Sequence, residues 1–399
     1  VTRRFSQRRL IGLALILALL AILPLVVSGC WDYVSITQRA LVLAIGIDKG
    51  EADRYEVTLQ IALPAVAKAA GGTSGGSQGP DHYEVSADAD TFGGALARVQ
   101  AVVAREIFLG QARVVIFGED LARDGLEPLM MELARAPEVD KTANFVVARE
   151  SRAKDILKTP TPLGRIPALA LNSTFESARK RPETIRVRLI DFFIRTVEPG
   201  QDEGLPTTTI PGPLPSSGDA TVDVGGTSGG LMTEGFALFK DYKMVGWLDR
   251  SETEALLFLL GRANDVKLAV GEPKKGEYDE VRRVTVKRKL KVFTGGGQVR
   301  FQLDIHCTGE VAATRAEGLQ VSRADIERIR AEVKQEVAAK TESVLAKLKE
   351  LGTDPLGLGS VVFYHDPDLW ARLNWDEVYP TVPVEIKVDV RLVRKGLIN

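Results

Sequence analysis

Cys30 and Cys307 are the only two cysteines in 399 residues, and His82, His306 and His365 are the only histidines. His306 and Cys307 are neighbours, the residue types from which a thiolate nucleophile and its base are drawn. On a strand, adjacent side chains point to opposite faces. The alternation Val299, Phe301, Leu303, Ile305, Cys307 therefore places the thiol in a core. His306 falls on the polar face with Arg300, Gln302 and Asp304. His365-Asp366-Pro367-Asp368 gathers one imidazole and two carboxylates, a weak oxygen set better explained as a proline turn. Glu119-Asp120 offers paired acids, but acids at a helix start are favoured by the dipole alone. No His-Glu-x-x-His or Walker sequence occurs. The hexapeptide Gly-Gly-Thr-Ser-Gly-Gly, at 71–76 and again at 225–230, lacks the Lys-Ser/Thr ending and following helix that hold a phosphate, so both copies read as surface loops. No catalytic residue, cofactor site or metal site is expected, and the chain does not read as an enzyme.

Cys30 has a different chemistry. Arg3, Arg4, Arg8 and Arg9 precede an uncharged, mostly apolar stretch at 10–27, which ends in Val27-Ser28-Gly29-Cys30. Small residues before a cysteine fit a lipoprotein signal peptide, cleaved between Gly29 and Cys30, with the Cys30 thiol taking a diacylglyceryl group. Two acyl chains hold a protein on a bilayer where one does not. An uncleaved membrane anchor is the other reading; Pro24 and the small-small-Cys ending argue against it. Both readings put the body outside the cytoplasm. Without the first 29 residues and their four arginines, 48 basic side chains face 53 acidic ones, a net charge of −5. A mildly acidic surface of mixed sign excludes nucleic-acid binding on bulk electrostatics.

These residues need elements to hold them. Residues 39–48 are apolar on both faces, a strand buried on both sides. Residues 55–63 alternate, with Val57, Leu59, Ile61 and Leu63 inward and Glu56, Thr58 and Gln60 outward, and pair antiparallel with the first strand. Thr91 caps a helix bearing Phe92, Ala95, Leu96, Val99 and Val103. Strands at 112–118 and 144–148 flank a helix at 121–136 that contains Gly125 and Pro128. Short strands at 235–240 and 243–248 precede a helix started by Ser251 and closed by Gly261. A hairpin turns at Gly295-Gly296-Gly297, and Arg288 interrupts the apolar face of its first strand. Ser322 caps a long helix at 323–351 with the stripe Ile326, Ile329, Val333, Val337, Val344, Leu348 and Leu351; Thr341 breaks the series, which favours packing on a sheet over a coiled coil. Trp370 and Trp375 are expected on different sides of a helix. The last strand alternates from Val384 to Leu392.

The expected fold class is α+β: a multi-domain protein of mixed β-sheets, each covered by helices, after a cleaved lipoprotein signal peptide. The domains are the signal peptide 1–29, an N-terminal α/β domain 30–200, a Gly/Pro/Ser-rich linker 201–230, and a C-terminal α+β domain 231–399 with the long helix 323–351.

Several segments resemble one family in order. Gly29-Cys30-Trp31-Asp32, Ala40-Leu41-Val42 and Gly46-Ile47-Asp48-Lys49 resemble the opening of the Ger(x)C family of spore germination lipoproteins, the C subunits of nutrient germinant receptors. Val114-Val115-Ile116-Phe117-Gly118-Glu119 is similar to the family's first-domain strand, and Gly235-Phe236-Ala237-Leu238-Phe239-Lys240-Asp241 with Val245-Gly246-Trp247-Leu248 to its central signature. Asp354-Pro355-Leu356-Gly357-Leu358-Gly359, Trp370, Trp375 and Lys395-Gly396-Leu397-Ile398 resemble its C-terminal pattern. Ser35 and Gln111 stand where the family commonly has glutamate and histidine. The resemblance implies an elongated arrangement of several mixed α/β domains, and a non-enzymatic, lipid-anchored interaction subunit acting in nutrient-triggered germination on the outer face of the inner spore membrane. Its partners would be a membrane-embedded A subunit, a permease-like B subunit and the bilayer itself through Cys30. The alternative is a solute-binding lipoprotein of a transport system, which needs a cleft between two lobes.

Overall fold

The computed structural model describes residues 14, 35–63, 81–161, 166–178, 184–211, 230–272, 277–313 and 322–393. Gly29, Cys30, the Cys-Trp-Asp opening, both Gly-rich hexapeptides save Gly230, and residues 395–398 lie outside the described residues. The chain forms two compact units, Val1–Ala40 and Leu41–Asn399. The first carries a single-turn 3-10 helix at Ile36–Gln38, capped by Ser35.

In the second unit, β1 (Arg39–Lys49) pairs antiparallel with β2 (Tyr55–Ala62), and β2 with β3 (His82–Ala89). Helix α1 (Phe92–Val102) follows, with the Thr91 hydroxyl accepting from the Gly94 N–H as its cap, and then the short β4 (Glu106–Phe108). The strands β5 (Val114–Gly118) and β6 (Asn144–Ala148) extend the sheet in parallel from β1. Between them the expected single helix is two, α2 (Glu119–Asp124) and α3 (Glu127–Arg135). Gly125 breaks it at φ +121°, a conformation costly for any other residue, and Pro128 sits in the first turn of α3, where it needs no N–H partner.

The sheet then continues through the span read as a linker. Part of 201–230 is β7 (Gly204–Thr209), parallel to β6 and antiparallel to β8 (Met232–Lys240); β9 (Lys243–Leu248) closes the edge. The described order is β3-β2-β1-β5-β6-β7-β8-β9. The Pro and Thr content of Gly204–Thr209 hid the strand, because its side chains are buried and their hydroxyls bonded, Thr207 to the Glu234 carbonyl. The two halves of the chain therefore share one sheet, and 204–209 is no loose connection.

Helices α4 (Ala153–Lys158) and α5 (Pro167–Glu176) cover one face of this sheet, packing Ala153, Ile156, Leu157, Leu171 and Phe175 on Ala44, Val114, Ile116 and Val146. That layer overturns the outward assignment of Glu56, Thr58 and Gln60, which are buried. Gln60 donates to the Leu157 carbonyl at 2.8 Å and accepts from the Ala168 N–H at 3.1 Å. Alternation in β2 thus marked two covered faces, one apolar and one hydrogen-bonded. Helix α6 (Leu189–Val197) completes the first half.

Helix α7 (Arg250–Leu260) starts two residues before the expected site. Asp249, not Ser251, is its cap, accepting from the Glu252 N–H at 2.8 Å while Glu252 accepts from Asp249 N–H. Gly261 ends it in the left-handed conformation as expected. A second sheet follows in the order β10 (Val266–Glu272), β11 (Glu277–Gly295), β12 (Gln298–Ala313), β13 (Val384–Val393). Strands β11 and β12 meet at Gly296-Gly297, both at positive φ, the geometry of a tight hairpin. Strand β13 runs parallel to β12, so a long connection must return between them. It contains α8 (Arg323–Glu350), α9 (Leu358–His365), α10 (Pro367–Trp370) and α11 (Trp375–Val378). Ser322 caps α8 with a capping box to Asp325. The α8 stripe packs on β13, α7 and β10, and Thr341 fits within it by donating to the Val337 carbonyl at 2.7 Å. Trp370 and Trp375 fall in separate short helices, and their rings meet at 5.9 Å.

Cys307 is buried on β12 beside Val286 and Val390, and burial pushes its thiol up to about 12. Cys307→Ala should lower the unfolding free energy by about 1 kcal/mol, the small end of core truncations. A thiol reagent should label the native protein slowly and the unfolded protein at once; fast native labelling would place the thiol at the surface.

Candidate functional site

Two places concentrate buried polar groups, and each is built on a segment already singled out by sequence. The first lies beyond the carboxyl ends of the parallel strands β1, β5 and β6, the usual crevice of an open α/β sheet. It is a cavity of about 590 Å³ lined by Asp48, Lys49, Glu119, Asp120, Glu150, Ser151 and Arg152 among others. Asp48 is 2% exposed and caps α4 across the sheet end. Its two carboxylate oxygens accept from the Ala153 N–H at 2.7 Å and the Lys154 N–H at 3.0 Å. Burial raises the Asp48 pKa, opposed by those N–H groups and by Arg152. Gly118 stands against Asp48 Oδ1, where any Cβ would collide, and Gly46 leaves room for Leu157 and Ala153 of α4. Gly46-Ile47-Asp48 and the Gly118 that ends β5 thus dock one helix.

Several other groups at this sheet end are engaged. Glu56 pairs with Arg152 and with Lys154 at 2.5 Å, and Lys49 with Asp124 at 2.5 Å. Glu119 accepts from Arg123 at 2.8 Å and from the Glu150 N–H at 3.0 Å. The Ser151 hydroxyl donates to the Arg149 carbonyl at 3.1 Å, and among the described residues no histidine or cysteine lines the cavity. The geometry is that of a tied-down sheet end, with no nucleophile beside a base.

The second place joins the two sheets. Residues 353–357 are irregular and, with Leu358 and Gly359 at the start of α9, wholly buried, so their backbone must find partners inside the protein. Asp202 supplies them. Its Oδ2 accepts from the Asp354 N–H at 2.8 Å, its own N–H donates to the Asp354 carbonyl at 3.0 Å, and its Oδ1 accepts from the Asp241 N–H at 3.0 Å. The Asp354 carboxylate in turn accepts from the Gly359 N–H at 2.9 Å. Gly200 and Gly359 approach so closely that a Cβ on either would strike the other's backbone. Thr353 bonds the Phe239 carbonyl of β8 at 2.5 Å. Arg288, the residue that interrupts the apolar face of β11, reaches the Leu259 and Leu356 carbonyls at 3.2 and 3.4 Å.

This joint is electrostatically expensive. Burial pushes Asp354 up to about 7, against the N–H dipoles of the 357–359 turn and with the Asp202 charge adding to the rise. Burial also raises Asp202. Glu203 beside it is pushed up to about 7 by burial, with Arg195 at 2.9 Å opposing. Burial lifts Tyr379 well above the usual phenol range, and Asp354 and Asp202 add to that. Lys240 bridges outward, 3.6 Å from Asp202 and 2.6 Å from Asp376.

Cys30 and Gly29 lie outside the described residues. His306 and Cys307 point to opposite faces of β12, with His306 exposed and 3.6 Å from Asp389. Asp366 caps α10 by accepting from the Leu369 N–H at 2.9 Å, as befits a turn, and Glu119-Asp120 opens α2. Among the described residues, no group of three or more His, Cys, Asp or Glu side chains is placed to hold a metal ion. Sequence reasoning missed Asp202, Glu203 and the role of Asp354; the available signal was a pair of acids set directly before an unrecognised strand.

The sequence matches two family models, the spore germination protein N-terminal domain over residues 32–210 and the spore germination B3/GerAC like, C-terminal, over residues 234–396. It is similar to spore germination protein KC of Bacillus subtilis (strain 168), at 25% identity over 96% of both chains. It is also similar to the putative spore germination protein YfkR of that organism, at 26% identity over 94% of this chain and 96% of the relative. The fold is similar to the crystal structure of the GerBC protein, with a TM-score of 0.54 at 18% identity, covering 88% of this chain and 97% of that one.

Two measurements check the ties. Asp48→Ala should cost about 2 kcal/mol, because two buried N–H groups lose a charged acceptor; an unchanged denaturant midpoint would remove the tie from the account. The acids at the joint have folded pKa values raised above their unfolded ones, so the native state holds the extra protons. Their contribution to stability should be greatest near pH 4 and be lost as pH rises through about 7. Asp354→Asn should flatten that slope between pH 5 and 8. An equally steep profile in the variant would mean that Asp354 is ionised throughout.

Proposed function

The chain belongs to the Ger(x)C family of spore germination proteins, and from that premise we propose that it is the lipid-anchored C subunit of a germinant receptor. It acts as a non-enzymatic interaction subunit that assembles with a membrane-embedded A subunit and a permease-like B subunit on the outer face of the inner spore membrane. The observation that carries this reading is the use of the signature residues. Asp48, Gly118, Asp354 and Gly359 hold elements together, and among the described residues no nucleophile stands beside a base in the cavity that Asp48 lines. What remains for function is surface.

Cys30 supplies the anchor in this reading. Among the described residues no helix is long and apolar enough to cross a membrane, and the diacylglyceryl chains on Cys30 hold the body at the bilayer. Nothing in the geometry favours the solute-binding alternative. That function needs two lobes that close on a ligand, whereas β7 and β8 pair across the boundary and fuse the halves into one sheet.

Cys30→Ala should abolish incorporation of a fatty-acid probe and release the protein from spore membranes, with germinant response lost while the fold is kept. Undiminished labelling of the variant would refute the anchor. A chain that never co-purifies with A and B subunits would refute the receptor reading.

A further inference from the structure

Helix α6 is apolar on more of its circumference than its burial requires. Leu189 and Phe192 face inward, with Phe192 edge-on to Phe239 of β8 at 5.7 Å. Ile190, Phe193, Ile194 and Val197 recur at the spacing of a second stripe along the helix. Of these, Ile190 is 37%, Ile194 55% and Val197 58% exposed. A monomer gains nothing from a contiguous apolar ridge in water, and such ridges mark contacts with partners. Tyr364 on α9, 68% exposed, stands at the end of the ridge, with its hydroxyl donating to Glu198 just beyond α6.

Val197 also forms the lip of a groove of about 340 Å³ whose walls include Trp370, Trp375, Asp241 and Asp376. The groove is acidic. Among the described lining residues, Glu198, Asp202, Asp241 and Asp376 stand against one cation, Lys240, which Asp376 already holds at 2.6 Å. Asp202 is spent on the joint beneath; Asp376 has a side chain 67% exposed, and Asp241 is exposed beside it. An apolar ridge running into an acidic, tryptophan-lined slot has one chemical complement.

We propose that the α6 ridge and the adjoining groove are a docking surface for a basic amphipathic segment of a partner protein, which lays apolar side chains on Ile190, Ile194 and Val197 and places an arginine or lysine among the groove carboxylates. Charge selects this occupant. A second copy on a twofold axis would set the acidic groove against itself, and an anionic lipid surface would be repelled by it. The tryptophans of the groove and Tyr364 at the end of the ridge supply contact area, and the carboxylates orient the approaching segment. The inference deepens the receptor reading and rests on it for the partner, which is another subunit of the same receptor.

The test uses the full-length chain in spores, with a photo-crosslinking residue at Ile194 and, as a control, at the exposed Glu327 on α8. The expected result is an adduct at Ile194 but not at Glu327, mapped by mass spectrometry to a receptor-subunit peptide with an arginine or lysine and apolar residues at helical spacing. Ile194→Asp and Asp376→Arg should each reduce co-purification of the receptor subunits at least tenfold, with unchanged thermal unfolding. An Ile194 adduct with a second copy of this chain, with lipid alone, or with nothing overturns the proposal, as does normal co-purification of both variants. If the unaltered chain fails to co-purify with receptor subunits, it is the receptor reading that falls. An Ile194 adduct on a basic amphipathic peptide of some other protein, abolished by Asp376→Arg, would then still support the docking surface.

Discussion

The reciprocal bonding of Asp202 and Asp354 is the constraint on which the rest of the body hangs. A five-residue irregular segment, 353–357, is buried between two sheets, and buried backbone without partners costs more than most side-chain contacts return. Regular structure is not available to it, because it must turn from the end of the long helix α8 into α9. Asp202, at the entry to β7, presents both an N–H and a carboxylate to Asp354, which then bends its own carboxylate back to Gly359. Two acids in one buried place repel; the N–H dipoles around them oppose that cost, and burial still leaves Asp354 with a raised affinity for protons. The close approach of Gly200 to Gly359 follows from the same demand, since the segment can reach its partners only if no side chain intervenes.

That joint explains why the chain is not two lobes on a hinge. Strand β8 belongs by sequence to the second half and by hydrogen bonding to the first sheet, where β7 receives it. The second sheet then attaches through α7, which packs on β8 and on β11, and through Glu252, which pairs with Lys347 of α8 at 2.7 Å. Covalent order and spatial grouping disagree at this one place, and the disagreement locks the halves together.

The parts of the fold that were legible in the sequence are those in which one face decides the pattern. The stripe of α8 with its Ser322 cap, the alternation of β12 that buries Cys307, and the doubly apolar β1 all follow from periods of 3.6 or 2. Illegible parts are those in which polar residues were buried by partners distant in sequence. Glu56, Thr58 and Gln60 read as solvent-facing because nothing local announces α4 and α5, which lie about a hundred residues on. Strand β7 read as linker because proline and threonines are turn-formers in isolation, and its pairing with β8 crosses a stretch with no periodic pattern. The single break in the 121–136 helix was visible as Gly125 and Pro128, and the local rule should have prevailed over the apolar pattern. Of the two polar sites, the Gly46 and Asp48 signature was visible as a motif but not as a tie, since its partners are the N–H groups of another element.

The same distinction bears on what such a subunit can do. A signature built from ties fixes the relative placement of sheets and helices but leaves the outer faces free to differ. Helix α6 sits one connection away from the joint: Glu198, Gly200 and Asp202 follow it directly, and Arg195 within it pairs with the buried Glu203. Its inner face is therefore held by the most constrained part of the body, and its outer ridge is presented with little freedom to reorient. A rigid apolar ridge loses less entropy on docking than a loop would.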